Sequence, residues 1–180
     1  MSEVAGVLLA PGASATRESP ALVAVEAAVA PLPVVRIDLP SGRKPPVIVH
    51  AVVEEAEAFA AELGVGTDAL VLGGRSMGGR MCSMAVAEGL PAAGLVLMSY
   101  PLHPPGRPEK LRVEHLPDVR VPCLFVSGTK DPFGTPDELM AATARVGGPV
   151  THHWLEGVGH APRADAAVAA VVADWIAGLG

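Results

Sequence analysis

The sequence predicts an α/β protein, a three-layer α/β/α sandwich whose mostly parallel sheet has about six strands. Short runs rich in β-branched residues alternate along the chain with longer runs whose apolar residues recur at helical spacing. The short runs are almost continuously apolar, as expected for strands covered by helices on both faces. No linker, repeat or low-complexity tract interrupts this alternation, so we expect a single domain over residues 1–180.

The strands are predicted from the short apolar runs. They are Ala5 to Ala10, Val34 to Asp38, Leu70 to Gly73, Gly94 to Ser99, Cys123 to Ser127 and Val150 to Leu155. Of the two cysteines, Cys82 falls in a predicted helix and Cys123 in a predicted strand. We therefore interpret both as small core hydrophobes and predict no disulfide.

The helices are predicted from their caps and apolar stripes. Ser19-Pro20 begins the first helix, and Thr135-Pro136 begins a later one that we expect to end at Gly147. A helix that ends at Gly64 lies between them. Its buried stripe consists of Val52, Ala56, Phe59 and Leu63. The stripe of the last helix consists of Val168, Val171, Val172, Trp175 and Ile176.

Composition excludes several classes of function. The formal net charge is −6 and the basic residues form no stripe, which argues against a nucleic-acid surface. No apolar run approaches the roughly 20 residues that span a bilayer, so no membrane association is predicted. The first residues lack a secretory signal pattern, and we expect a cytoplasmic protein. His152 and His153 would point to opposite faces of a strand, and we predict no metal or other cofactor.

The most informative motif is Gly74-Arg75-Ser76-Met77-Gly78, which follows an apolar strand and opens a predicted helix. This spacing is typical of a nucleophile elbow, a turn so sharp that the serine hydroxyl projects from the sheet edge. Gly74 and Gly78 are the small neighbours that let strand and helix approach. The motif alone is equally compatible with a glycine-rich loop in which Ser76 caps the helix. It is less compatible with a phosphate-binding loop, because the Lys-Ser/Thr ending is absent.

Two polar residues follow later strands. Asp131 lies just after the fifth predicted strand and His160 just after the sixth. Ligands bind beyond the carboxyl ends of parallel strands, which places both residues at the same sheet edge as Ser76. The chain order Ser, Asp, His occurs in one class of serine hydrolases, in which the histidine deprotonates the serine and the aspartate orients the histidine. Taken singly, Asp131 is also compatible with a turn and His160 with a solvated loop.

With these residues the chain resembles, over nearly its whole length, a small lidless α/β-hydrolase-fold serine hydrolase related to dienelactone hydrolase. The matching segments are the motif 74–78, Gly128-Thr129-Lys130-Asp131 and Gly159-His160. The resemblance implies a minimal α/β-hydrolase fold without a lid domain. It also implies an oxyanion hole formed by the backbone N–H groups of Met77 and Ala13.

The chain departs from that family in two places. Members commonly begin the first loop with His-Gly, whereas Ala10-Pro11-Gly12-Ala13-Ser14 stands here. Ala13 is therefore assigned from its position alone, and Ser14 or its neighbours are alternatives. Dienelactone hydrolases use a cysteine where Ser76 stands, so their own substrate is not implied.

Four other residues are candidates for the site or its rim. Asp38 is an alternative acid, although we favour a role in anchoring the turn that follows it. His103 is either a plain loop histidine, which we favour, or part of the rim. Arg75 is either a structural ion-pair partner or a rim charge that favours an anionic substrate. Tyr100 has no assigned role.

The segment from Tyr100 to Pro122, where larger family members insert a lid, is too short for a domain, so we expect an open site. Aromatic residues make up 3% of the chain, which is too few for a deep aromatic acyl pocket. We expect hydrolysis of carboxylic ester or thioester bonds in small or exposed acyl substrates, through an acyl-Ser76 intermediate. The alternative is a non-catalytic scaffold or protein-interaction module with the same fold.

Overall fold

A parallel sheet organises the chain. A computed structural model describes residues 3–162 and 165–179, and within these residues six strands form one sheet in which every neighbouring pair is parallel. The strands are β1 (Gly6–Ala10), β2 (Val34–Arg36), β3 (Leu70–Arg75), β4 (Gly94–Met98), β5 (Cys123–Gly128) and β6 (Val150–Leu155). The predicted fold class and all six predicted strands are confirmed, with ends that differ by at most two residues.

The described part leaves out the chain ends and one short segment. Residues 1 and 2, on which the expectation of no secretory signal partly rests, lie outside it, as do residues 163, 164 and 180. No helix within the described ranges is both long enough and apolar enough to cross a membrane.

The strand order changes direction between β1 and β3. The order across the sheet is β2-β1-β3-β4-β5-β6, so the chain first moves outward to β2 and then returns past β1 to continue on its other side. Ala10 and Gly74 are register partners at the carboxyl ends of β1 and β3. The loops after these two strands therefore separate at this point and leave a crevice, which is where open α/β sheets bind ligands.

Helices cover both faces of the sheet. They are α1 (Pro20–Val29), α2 (Pro45–Leu63), α3 (Met77–Ala87), α4 (Pro136–Thr143) and α5 (Asp165–Ala177), with short 3₁₀ helices at Thr67–Ala69 and Leu116–Asp118. Alternate residues of each central strand enter two separate cores: Leu8 and Leu72 pack with α2 and α3, while Val7 and Val71 pack with α1 and α5. Burial of alternating residues on both faces explains why the strands read as continuous apolar runs.

The helix caps agree with the sequence at most positions. Thr135 forms a capping box with Glu138, and Gly64 ends α2 in the left-handed conformation with φ 71°. Ser19 is the N-cap of α1 but makes no side-chain capping hydrogen bond. The expected end of the fourth helix at Gly147 was wrong, since α4 stops at Thr143. The chain leaves the helix there, and the Gly147 N–H donates instead to the Val119 carbonyl, 2.8 Å away.

Both cysteines are buried and free, as predicted. The Cys82 thiol lies 3.4 Å from the Gly73 carbonyl oxygen inside the core. Burial raises the pKa of Cys82 to about 12, and that of Cys123 to about 12 by the same cause. Neither thiol is therefore ionised at neutral pH, which fits a packing role.

The connection between β4 and β5 is a loop with one short 3₁₀ helix at Leu116–Asp118, in agreement with the absence of a lid. Buried side chains and hydrogen bonds nevertheless fix this connection. Tyr100 and Leu102 are buried, the Arg112 N–H donates to the Leu102 carbonyl at 2.8 Å, and the Tyr100 hydroxyl donates to the Arg112 carbonyl at 2.8 Å. These bonds fix Arg112 beside the carboxyl edge of the sheet.

β1 packs closely against the β3–α3 turn. A Cβ atom on Gly74 would overlap the Ala10 carbonyl oxygen, and one on Gly78 would overlap the carbonyl oxygens of Ala10 and Pro11. Backbone atoms of a central strand cannot move aside as a flexible side chain can. Only glycine therefore fits at these two positions.

Gly78→Ala is expected to lower the free energy of unfolding by at least about 2 kcal/mol, because its methyl group has no space between two backbone carbonyls. Urea denaturation measures the change. Gly178→Ala is the matched control, since a Cβ there meets its nearest neighbour at an ordinary 3.5 Å. Equal denaturation midpoints for Gly78→Ala and the unsubstituted protein would contradict the packing argument.

His115 links the β4–β5 connection to α3. Its Nε2 lies 2.8 Å from the Ser83 hydroxyl in the middle of α3. Burial, followed by the positive charge of Arg80, lowers the pKa of His115 from 6.5 to about 4. The folded protein therefore binds this proton more weakly than the unfolded chain does. The contribution of neutral His115 to stability is complete above pH 6.5 and is lost as the pH falls from 6.5 toward 4.

His115→Gln keeps a hydrogen-bonding group and removes the titration. We expect the loss of unfolding free energy between pH 7 and pH 5 to be smaller in this variant by roughly 1 kcal/mol, a figure reduced for partial solvent exposure. Urea denaturation at the two pH values measures it. His50→Gln is the control, because the His50 side chain is 73% exposed. An unchanged pH dependence in His115→Gln would exclude His115 as a source of acid destabilisation.

Candidate active site

Ser76 lies at the sharp turn between β3 and α3. Its backbone has φ 51° and ψ −118°, a strained conformation for a residue other than glycine. The Ser76 N–H donates to the Met98 carbonyl at 2.8 Å, and its carbonyl accepts from the Arg80 N–H at 3.1 Å, which hold the turn from both sides. The Ser76 side chain makes no helix-capping hydrogen bond, so the alternative of a serine cap does not describe its contacts.

The three sequence-predicted polar residues come together in one hydrogen-bonded chain. Ser76 Oγ lies 2.9 Å from His160 Nε2, and His160 Nδ1 lies 2.8 Å from Asp131 Oδ2 and 3.0 Å from Oδ1. A carboxylate only accepts hydrogen bonds, so Nδ1 carries the proton and Nε2 is free to accept from the serine hydroxyl. Residues that are 55 and 29 positions apart in sequence thus meet at one sheet edge.

Contacts other than the one with His160 also fix the position of Asp131. It is 4% exposed, and its Oδ1 accepts the Phe133 N–H at 2.8 Å. The loops after β5 and β6 are joined where the Lys130 N–H donates to the Val158 carbonyl at 2.9 Å. This bond brings the aspartate and histidine loops together.

His160 is oriented from three sides. Besides the bond to Asp131, its ring stacks on Phe133 with centroids 4.0 Å apart and planes inclined by 26°. Its carbonyl accepts from Arg75 Nη2 at 3.0 Å. The side chain is 20% exposed, so the imidazole is both restrained and within reach of solvent.

A cavity of about 410 Å³ opens at Ser76. It is lined by Gly12, Ala13, Ala15, Arg75, Ser76, Met77, Arg80, Pro101, Arg112, Phe133 and His160. Met77 is the first residue of α3, so its N–H has no carbonyl within the helix to bind. Ala13 lines the same cavity from the turn after β1, while Ser14 lines an adjacent cavity of about 200 Å³. The structure thus brings Met77 and Ala13 to one cavity with Ser76, and Ser14 to its neighbour.

The other sequence candidates lie outside this hydrogen-bonded chain. Asp38 accepts the Arg17 N–H at 2.8 Å and pairs with Arg17 Nε at 3.1 Å, so it holds the loop after β1 rather than its own turn. His103 is 5% exposed, with Nδ1 2.8 Å from the Pro104 carbonyl, and it does not line the cavity. Tyr100 is buried, and burial raises the pKa of its hydroxyl.

Arg75 lines the cavity. No carboxylate of the described residues forms an ion pair with it, which removes the alternative of a structural salt bridge there. No group of three or more metal-ligating side chains is found among residues 3–162 and 165–179.

Sequence reasoning missed three of the large side chains that line this cavity. Arg80 lies four positions after Ser76, one turn into a helix that had been predicted, and this spacing is a signal that was available. Phe133 likewise lies only two positions after Asp131, which is predicted as the acid of the site. Arg112 lies in an irregular connection and had no local signal, since only tertiary packing brings it to the site.

A sequence model described as an alpha/beta hydrolase domain matches residues 3–167. Among solved structures, Est1E from Butyrivibrio proteoclasticus has a TM-score of 0.82 at 14% identity, covering 98% of this chain and 88% of that one. A dienelactone hydrolase from Anabaena variabilis has a TM-score of 0.78 at 19% identity, covering 98% and 87%. A carboxylesterase from Bacillus cereus has a TM-score of 0.73 at 15% identity, covering 97% and 88%.

At these identities the structural likeness shows the fold, while the sequence model covers well over half of the chain. The chain therefore belongs to the α/β-hydrolase family.

Proposed function

We propose that this protein is a serine hydrolase that cleaves carboxylic ester or thioester bonds of small or exposed acyl substrates. One observation carries the proposal: Ser76 Oγ, His160 and Asp131 form a continuous hydrogen-bonded chain beside an open cavity. The names of two similar structures, a carboxylesterase and a dienelactone hydrolase, agree with hydrolysis of an ester bond. We further propose that residues 1–180 act as one catalytic domain.

In the first step Ser76 Oγ attacks the substrate carbonyl carbon while His160 Nε2 takes the hydroxyl proton. Asp131 holds the imidazole in the tautomer that can accept this proton and stabilises the imidazolium that results. The tetrahedral intermediate then collapses, the carbon–oxygen or carbon–sulfur bond breaks, and the leaving group receives the proton from His160. An acyl-Ser76 ester remains.

Water completes the cycle by the same proton route. His160 removes a proton from water as its oxygen attacks the acyl carbon, and returns that proton to Ser76 Oγ when the acid is released. The backbone N–H groups of Met77 and Ala13 are proposed to bind the developing oxyanion in both steps. A donor of this kind contributes about 3 kcal/mol to transition-state stabilisation. The positive N-terminal end of α3 adds to it.

A covalent probe tests the identity of the nucleophile. A fluorophosphonate is expected to label Ser76, because His160 activates this hydroxyl, and intact and peptide mass spectrometry locate the adduct. Asp131→Asn is expected to slow labelling by orders of magnitude, as loss of the orienting carboxylate lowers turnover about 10⁴-fold in serine proteases. Asp137→Asn, on the exposed first turn of α4, is the matched control. Folded protein that stays unlabelled would contradict the proposal.

A series of p-nitrophenyl esters from acetate to octanoate tests the substrate size. Turnover is expected to be highest for short acyl chains and to fall toward octanoate, because the cavity of about 410 Å³ is open and has one aromatic side chain, Phe133, in its lining. Ser76→Ala is expected to reach only the rate of hydrolysis in buffer. Equal, near-background rates for both proteins across the series would favour the scaffold alternative instead.

A further inference from the structure

Three arginines line the cavity at Ser76: Arg75, Arg80 and Arg112. None of them forms an ion pair with a carboxylate of the described residues. Asp131, the acidic residue of the site, is hydrogen-bonded to His160. The chain as a whole carries a formal net charge of −6, so this cavity is a local concentration of positive charge on an acidic protein.

Arg75 and Arg80 also have guanidinium donors without hydrogen-bond acceptors within the described ranges, whereas Arg112 Nη1 donates to the Pro101 carbonyl at 3.4 Å. The Nε atoms of Arg75 and Arg80 are buried and have no partner among the described residues. Arg75 uses Nη2 for the His160 carbonyl, whereas no side-chain hydrogen bond is found for Arg80 in the described part of the chain. Burying a charged donor without an acceptor is costly, and such groups normally bind an anion or a carbonyl. An anionic ligand in the cavity would offset this buried charge and accept hydrogen bonds from the Nη groups of Arg80, which have no partner among the described residues.

Arg80 and Arg112 act on the same region of the cavity. Both line the cavity, and the pKa of Arg112 is lowered by partial burial and then by repulsion from Arg80, in agreement with two positive charges in the same region. His115 is neutral at pH 7 and adds neither a positive charge nor a counter-ion. Glu114 is exposed and its carboxylate accepts the Val113 N–H at 3.1 Å, so it does not occupy the cavity. Two unneutralised guanidinium groups therefore face one space.

We propose that the cavity selects a substrate that carries an anionic oxygen group, a carboxylate or a phosphate, in addition to the bond that Ser76 attacks. Arg80 and Arg112 bind the anionic group, and the charge of Arg75 adds to the attraction. Planar guanidinium groups suit both anions, because two parallel N–H donors match two oxygens. This inference rests on the proposed function only for the position of the scissile bond.

The spacing of Ser76 and Arg80 along the chain guides the choice of probes. Ser76 and Arg80 are separated by one helical turn, a rise of about 6 Å along the axis. A chain of four methylene groups between two carboxyl carbons has a similar length. Monomethyl adipate has one ester and one carboxylate about this far apart and serves as the carboxylate probe, and dimethyl adipate is its neutral counterpart. Butyl phosphate presents the phosphate alternative.

Binding is measured as a thermal shift in Ser76→Ala, so that hydrolysis is not needed. At about five times its Kd, an anionic probe is expected to raise Tm by about 2–4 °C, and dimethyl adipate is expected to have no effect. The shift should be lost in Ser76→Ala with Arg80→Gln or with Arg112→Gln. It should persist with Arg107→Gln, the control, which removes the same charge from an exposed position of the same connection. Testing Arg80 and Arg112 separately keeps the result interpretable if one variant does not fold.

Each outcome decides one question. A larger shift with monomethyl adipate identifies a carboxylate substrate, and a larger shift with butyl phosphate identifies a phosphorylated one. Equal shifts with the neutral diester, or shifts that survive both arginine substitutions, overturn the proposal. A shift without labelling of Ser76 by the fluorophosphonate would keep the anion site and reject the hydrolase. Labelling of Ser76 without any thermal shift would keep the hydrolase and reject the anion site.

An activity measurement gives a second, independent readout. The mono-p-nitrophenyl ester of adipic acid is compared with its methyl ester, which has the same acyl chain and no charge. Arg80→Gln and Arg112→Gln are expected to lower kcat/KM for the charged ester about 10- to 100-fold, the effect of losing a hydrogen bond to a charged group. The uncharged ester should change little. Equal losses for both esters would indicate a structural effect and contradict anion binding.

Discussion

The contact between β1 and the β3–α3 turn is the constraint on which the site depends. The Ala10 carbonyl lies so close to Gly74 and Gly78 that neither position has space for a Cβ atom. This approach forces the chain to reverse at Ser76, which takes up φ 51° and ψ −118° as a result. A reversal at this point directs the serine hydroxyl into the crevice and starts α3 directly after it. The strain at Ser76 is sustained because the surrounding backbone is tightly packed.

The loops after β5 and β6 bring Asp131 and His160 to the same sheet edge. The loops after β5 and β6 share the hydrogen bond between Lys130 and Val158, and a Cβ on Gly128 would overlap the Val158 carbonyl oxygen. Asp131 is therefore buried, and its carboxylate accepts the Phe133 N–H in addition to its contact with His160. Such preorganisation reduces the rearrangement that a reaction at Ser76 requires.

The electrostatics of the cavity and of the α3 region are coupled through Arg80. Its charge contributes to the lowered pKa of Arg112 on one side and to that of His115 on the other. Neutral His115 bonds Ser83 and so attaches the β4–β5 connection to α3, while Arg112 is held by the Tyr100 hydroxyl. The β4–β5 connection, which forms no lid, thus contributes the charged side chain of Arg112 to the site. Its position depends on buried side chains and not on regular structure.

The sequence by itself determined the alternation of strands and helices, the place of Ser76 between β3 and α3, and the two loops that carry Asp131 and His160. These features are local, because burial on both faces produces apolar runs and sharp turns require glycine. Only the tertiary structure decided that Asp38 binds Arg17, that α4 ends at Thr143, and that Arg80 and Arg112 share a cavity with Ser76. Those outcomes depend on contacts between distant segments, whose geometry follows from the packing of the whole sheet and is not encoded in any short stretch of residues.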